Sequence, residues 1–180
     1  MTSVDSTLAQ DHFTLFGLPR SFAVDGEVLE RMYREIQAQV HPDKHAHLSD
    51  TQRRLAMQWA TRANEAHQVL KNPLQRAHYL LGLLGFDPQV ERNTAMPMDF
   101  LIEQMDWREA VEKAKGVSDG EELENLYRNL RQDMKGQYEA LGLAIDDSHD
   151  YVRAADLVRQ LMFQEKLLTE IEDALEAIEA

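Results

Sequence analysis

The sequence predicts an all-α protein in two parts: an antiparallel helix hairpin flanked by short helices, then a three-helix bundle. Three observations carry this. Apolar residues recur at helical spacing along several stretches, and no stretch alternates with the period of two that a half-buried strand requires. Eight Gly and five Pro in 180 residues are too few for a fold built on tight turns. The net charge of −13 is unevenly placed: residues 1–80 carry nine acidic and nine basic side chains, residues 81–180 carry 23 acidic and ten basic. Such a break in charge balance suggests two domains.

In 25–40, Leu29, Met32, Tyr33, Ile36 and Val40 share one helical face. Asp25 suits the N-cap, where a carboxylate accepts from the unpaired N–H groups of the first turn. Pro42 stops this helix near Val40, because the residue before proline avoids the αR conformation. A polar loop, His41–Leu48, follows. Ser49 and Gln52 form a capping-box pattern for a second long helix, whose stripe is Leu55, Trp59, Ala63, Ala66 and Leu70 and whose end is Asn72-Pro73. Two amphipathic helices joined by a polar loop fold back on each other. The segments Phe13–Leu18 and Leu74–Leu84 are apolar enough to pack against the pair.

The stretch Gly85–Pro97 holds two prolines and no apolar rhythm, so it reads as a linker between a domain at 1–84 and another at 98–180. Three helices are expected in the second, at roughly 98–115, 121–141 and 148–179. Ser118-Asp-Gly and Asp146-Asp-Ser148 supply the turns. Leu123, Leu126, Tyr127, Leu130, Met134, Tyr138 and Leu141 form the stripe of the middle helix.

The helix at 98–115 has two apolar sides. At roughly 100° per residue from Phe100, Trp107 falls near 340°, Val111 near 20° and Ala114 near 320°, one coherent core stripe. Leu101, Met105 and Ile102 fall near 100°, 140° and 200°, on the opposite side with Asp106, Glu109 and Glu112. One helix cannot bury both sides in a small bundle. The second is either covered by other parts of the chain, with residues 74–86 the candidates, or exposed as a docking patch with an acidic rim.

Several function classes are excluded. Without Cys there are no disulfides, no Cys-ligated zinc and no iron–sulfur cluster held by this chain's own thiolates. No phosphate-binding or dinucleotide-binding glycine loop, nucleophile elbow or zinc-protease motif occurs. Glu121-Glu122 and Asp146-Asp147 lie in turns or helix starts, where they favour the helix dipole rather than acid–base chemistry. No catalytic residue, enzyme activity or cofactor is expected. His41, His45 and His47 offer a rival metal site, but Pro42 breaks the helix that would align the first two, and no bound metal is expected. The acidic second half argues against nucleic acid as partner, and no run approaches the ~18 apolar residues of a membrane span. The N-terminus, acidic and without Lys or Arg, resembles neither a signal nor a transit peptide, so a bacterial cytoplasmic location is expected.

His41-Pro42-Asp43-Lys44 stands at the tip of the hairpin. Pro42 fixes φ, and His41 and Asp43 present short polar groups there, which suits docking better than chemistry. An HPD tripeptide joining two such helices, with TRANEAHQVL and NP-x-x-RA-x-YLL after it, resembles the J-domain of DnaJ-type co-chaperones. FTLFGLP at 13–19, NPLQRAHYLLGLLGFD at 72–87 and an acidic bundle opening FLIEQMDWRE at 100–109 resemble the HscB-type co-chaperone of iron–sulfur cluster assembly along nearly the whole chain. That resemblance implies that His41, Pro42, Asp43 and Lys44, with Arg31 and Arg34 on the first long helix, contact an HscA/DnaK-class ATPase chaperone and stimulate it. It implies that Leu101, Ile102 and Met105, with Phe163 of the last helix and Asp106 and Glu109 at the rim, bind an IscU-like iron–sulfur scaffold protein. The alternative is a general J-domain protein whose bundle takes a different client.

Overall fold

A computed structural model of the chain describes residues 10–40, 49–86, 88 and 96–179, and among these there is helix but no strand. The chain divides into two compact units, 1–80 and 81–180.

The first unit contains α1 (His12–Leu15), α2 (Gly26–Val40) and α3 (Asp50–Lys71); α4 (Pro73–Leu83) runs from it into the second. Each start is set by a side chain. Asp11 accepts from the Phe13 and Thr14 amides at 3.0 and 3.1 Å, and Asp25 from Glu27 and Val28 at 2.9 and 3.2 Å. Ser49 and Gln52 close the expected capping box, the Ser49 amide donating to Gln52 Oε1 at 3.1 Å and the Gln52 amide to Ser49 Oγ at 3.4 Å. Phe13, Phe16, Leu29, Ile36, Val40, Ala63, Ala66, Leu70, Leu74 and Ala77 are buried, while Met32, Tyr33, Leu55 and Trp59 are only half-buried. His67 is buried too, its ring stacked on Tyr33 at 4.0 Å.

The second unit is the three-helix bundle: α5 (Met98–Gly116), α6 (Gly120–Gly142) and α7 (Tyr151–Glu179). Tyr127 and Tyr138 on α6 donate hydroxyl hydrogen bonds to Glu172 and Glu165 on α7, each at 2.8 Å. The later tyrosine meets the earlier glutamate, so these helices are antiparallel. Val111, Leu123, Leu130, Leu141, Val158, Leu161, Leu167 and Ile171 fill the space between. Phe86, tilted against Tyr151 at 5.1 Å, and Pro88, whose buried carbonyl accepts from Arg159 at 3.0 Å, pack within this unit.

Three expectations are corrected. The turn expected at 146–148 is largely a π-helical turn, Leu143–Asp147, closed by the Ser148 amide on the Leu143 carbonyl at 2.9 Å. It forms because the wider turn buries Ala144 and Ile145. Consequently α7 starts at Tyr151 rather than 148, after His149 with φ +54° and with Asp150 accepting from the Arg153 amide at 3.1 Å. Trp107, expected in the core stripe of α5, is half-buried, while Gln104 is buried beside Phe100, Val111 and Ala114. At about 40° on the same wheel, Gln104 falls inside that stripe by geometry although its amide is polar.

Candidate functional site

Two surfaces qualify, one in each unit. On the first, α2 turns Leu29, Ile36 and Val40 inward and leaves Arg31 and Arg34 exposed, with no hydrogen-bond or ion-pair partner among the described residues. His41, Pro42, Asp43 and Lys44 follow directly on Val40 and lie outside the described residues, as do His45 and His47. What is described is the frame that holds the hairpin. Tyr33 donates to Asn64 Oδ1 at 2.9 Å, and Gln37 Nε2 to the same oxygen at 2.5 Å. Glu30 Oε1 lies 3.0 Å from both Lys71 Nζ and His67 Nε2 on α3. The Lys71 hydrogen bond, and after it that of His67, hold the Glu30 carboxyl below its ordinary pKa. Glu30 and Lys71 also line a groove of about 810 Å³, together with Leu29, Arg31, Arg34 and Leu70.

On the second surface, α5 buries Phe100, Gln104, Val111 and Ala114 and leaves its other apolar side in solvent: Leu101 is 38%, Ile102 52% and Met105 70% exposed. Asp106 and Glu109 are exposed beside them. Met98, also 70% exposed, joins this face near 160° on the wheel. A wheel started at Phe100 misses it, and one started two residues earlier finds it. Phe163 on α7 is half-buried, with the Lys166 ammonium 5.9 Å from its ring centroid. The short α5–α6 turn and the antiparallel α6–α7 pair make α5 and α7 parallel. Arg108 Nη2 and Glu170 Oε1, 3.8 Å apart, mark their register, and about two helical turns earlier Leu101 and Phe163, each seven residues before that pair, stand at about the same level. Among the described residues no cluster of three or more His, Asp or Glu side chains is arranged to hold a metal, and no helix is long and apolar enough to cross a membrane.

A capped antiparallel hairpin carrying His-Pro-Asp between its helices, followed by a helical bundle with an apolar face in solvent, defines a J-domain co-chaperone with a C-terminal bundle. The family model described as "HSCB C-terminal oligomerisation domain" matches residues 96–172. The co-chaperone protein HscB homolog of Aromatoleum aromaticum is 52% identical over 172 residues, 96% of this chain and 97% of its own. Chaperone HscB from Vibrio cholerae has a solved structure with a TM-score of 0.81 and 34% identity, covering 94% of this chain and 99% of that one. The human co-chaperone HscB reaches a TM-score of 0.84 at 26% identity, covering 91% and 81%. The chain belongs to the HscB family of co-chaperones.

Proposed function

We propose that this protein is an adaptor of iron–sulfur cluster assembly without chemistry of its own, acting in the bacterial cytoplasm. The hairpin tip, His41-Pro42-Asp43-Lys44 with Arg31 and Arg34, docks on an HscA/DnaK-class chaperone and stimulates its ATPase. The α5 face, Leu101, Ile102 and Met105 with Phe163 level with it and Asp106 and Glu109 at the rim, carries an IscU-like scaffold protein. The observation that supports this best is the division of α5 into a buried side and an apolar side in solvent: a single bundle has no internal use for the second. Holding both partners on one molecule raises their effective concentration for each other and couples delivery to hydrolysis. The residues proposed here fall in two domains, a J-domain at 1–84 and a scaffold-binding bundle at 98–180, with 85–97 between them.

Steady-state ATP hydrolysis by the same organism's chaperone tests it, measured with this protein, with the scaffold, and with both. Synergy with both present is expected. Stimulation indifferent to the scaffold replaces the adaptor with a general J-domain protein, and no stimulation removes the docking role of the tip.

A further inference from the structure

Within α2, Glu30 and Arg34 are spaced i,i+4 with the acid on the N-terminal side, the arrangement in which a helical ion pair forms most readily. Here it does not form. The Glu30 carboxylate points across the hairpin instead, its Oε1 taking both Lys71 Nζ and His67 Nε2 at 3.0 Å, and the Arg34 guanidinium has no partner among the described residues. His67 is held for this contact: it is buried and stacked on Tyr33, so its Nε2 cannot turn away from α2. Lys71, in the last turn of α3, adds the charge that makes the cross-hairpin site the stronger claimant for Glu30. No other acidic side chain sits three or four residues from Arg34, since positions 31, 37 and 38 are Arg, Gln and Ala. Arg31 differs, with Glu27 and Glu35 each four residues away. Arg34 is thus the cation of this face whose availability depends on a single competing carboxylate.

We propose that Lys71 and His67 are positioning residues of the chaperone-docking face: by drawing Glu30 across to α3 they keep Arg34 open for an anionic group of the chaperone. This rests on the docking role given above to α2. It assigns a part in binding to side chains on α3 that need not touch the partner, and it makes Arg34 a stronger contact than Arg31. Without Lys71, Glu30 swings back along its own helix and pairs with Arg34, and the chaperone must break that pair.

The test uses the full chain and the chaperone, reading the concentration of this protein that gives half-maximal ATPase stimulation. Lys71→Ala is expected to raise it about two- to fivefold, the size of one exposed ion pair, with maximal stimulation unchanged. Glu30→Gln alone is expected to leave it unchanged, and Glu30→Gln with Lys71→Ala to restore the wild-type value. In an Arg34→Ala background, Lys71→Ala is expected to have no further effect. If Glu30→Gln tightens docking as much as Lys71→Ala weakens it, or if Lys71→Ala still acts without Arg34, both residues act by net charge alone and the proposal is overturned. A second readout needs no chaperone. The Arg34 side-chain ¹⁵Nε–Hε signal of the isolated protein should gain protection from solvent exchange in Lys71→Ala and lose it again when Glu30→Gln is added. An unchanged Arg34 signal rejects the proposal even where stimulation confirms the docking role, and a changed one with no stimulation in any variant confines the failure to that role.

Discussion

Arg108 on α5 and Glu170 on α7 face each other at 3.8 Å, and this pair reports the register that stands Leu101 level with Phe163. The pair is half exposed on both sides and contributes little stability. Its value is as a marker: residues from two helices far apart in sequence share one height on the bundle.

If that shared height is one docking site, Leu101 and Phe163 act together. Leu101→Ala with Met105→Ala should weaken scaffold binding by about 2–4 kcal/mol, as expected for central apolar anchors. Calorimetric titration of the scaffold with the two single variants Leu101→Ala and Phe163→Ala and their double variant should show a coupling of about 0.5 kcal/mol or more. Melting temperatures should stay near wild type. Lost melting temperature with binding retained would mean the face is core.

His41→Gln should abolish ATPase stimulation while circular dichroism and scaffold binding stay unchanged. The helices on either side of the tip are held by their own contacts, Asp25 and the Ser49–Gln52 box at their starts and Tyr33–Asn64 between them. A marked loss of helical signal in this variant would make the tip structural.

Ser118→Gly should stabilise the bundle. Ser118 has φ +52° and ends α5 in a Schellman arrangement, its amide on the Lys115 carbonyl at 3.1 Å and the Asp119 amide on that of Ala114 at 2.9 Å. A side chain in the left-handed region costs roughly 1 kcal/mol relative to glycine. Thermal unfolding should show a gain of about 0.5–1 kcal/mol, and a loss would mean that the serine hydroxyl stabilises the turn.

Tyr138 predicts an alkaline limit. Burial, and then its hydrogen bond to Glu165, raise the phenol's pKa above the ordinary tyrosine value. A group whose pKa is higher folded than unfolded stabilises the fold fully below the unfolded value, about 10, and loses that contribution as pH rises beyond it. Melting temperature followed from pH 8 to 11 should therefore fall at the alkaline end for the wild type. Tyr138→Phe should start lower at pH 8, having lost a hydrogen bond of about 1 kcal/mol, and decline less steeply. Parallel curves would assign the alkaline loss elsewhere.

Much of this was legible in the linear sequence because helices advertise themselves locally. Asp25, Ser49 and Gln52 cap where their spacing says they should, and most of the buried side chains of α2, α3 and α6 lie on the expected stripes. Capping and amphipathic periodicity are short-range physics, set within one or two turns. The two-sided pattern of α5 likewise announced a surplus apolar face. What the sequence could not supply depends on which helix meets which, and at what height. That Gln104 is buried although polar, that Ala144 and Ile145 draw the chain into a π turn where a reversal was expected, and that Glu30 passes over Arg34 for Lys71 and His67 are results of packing between segments distant in the chain. Propensity carries no term for those contacts; they exist only once the helices have closed on one another.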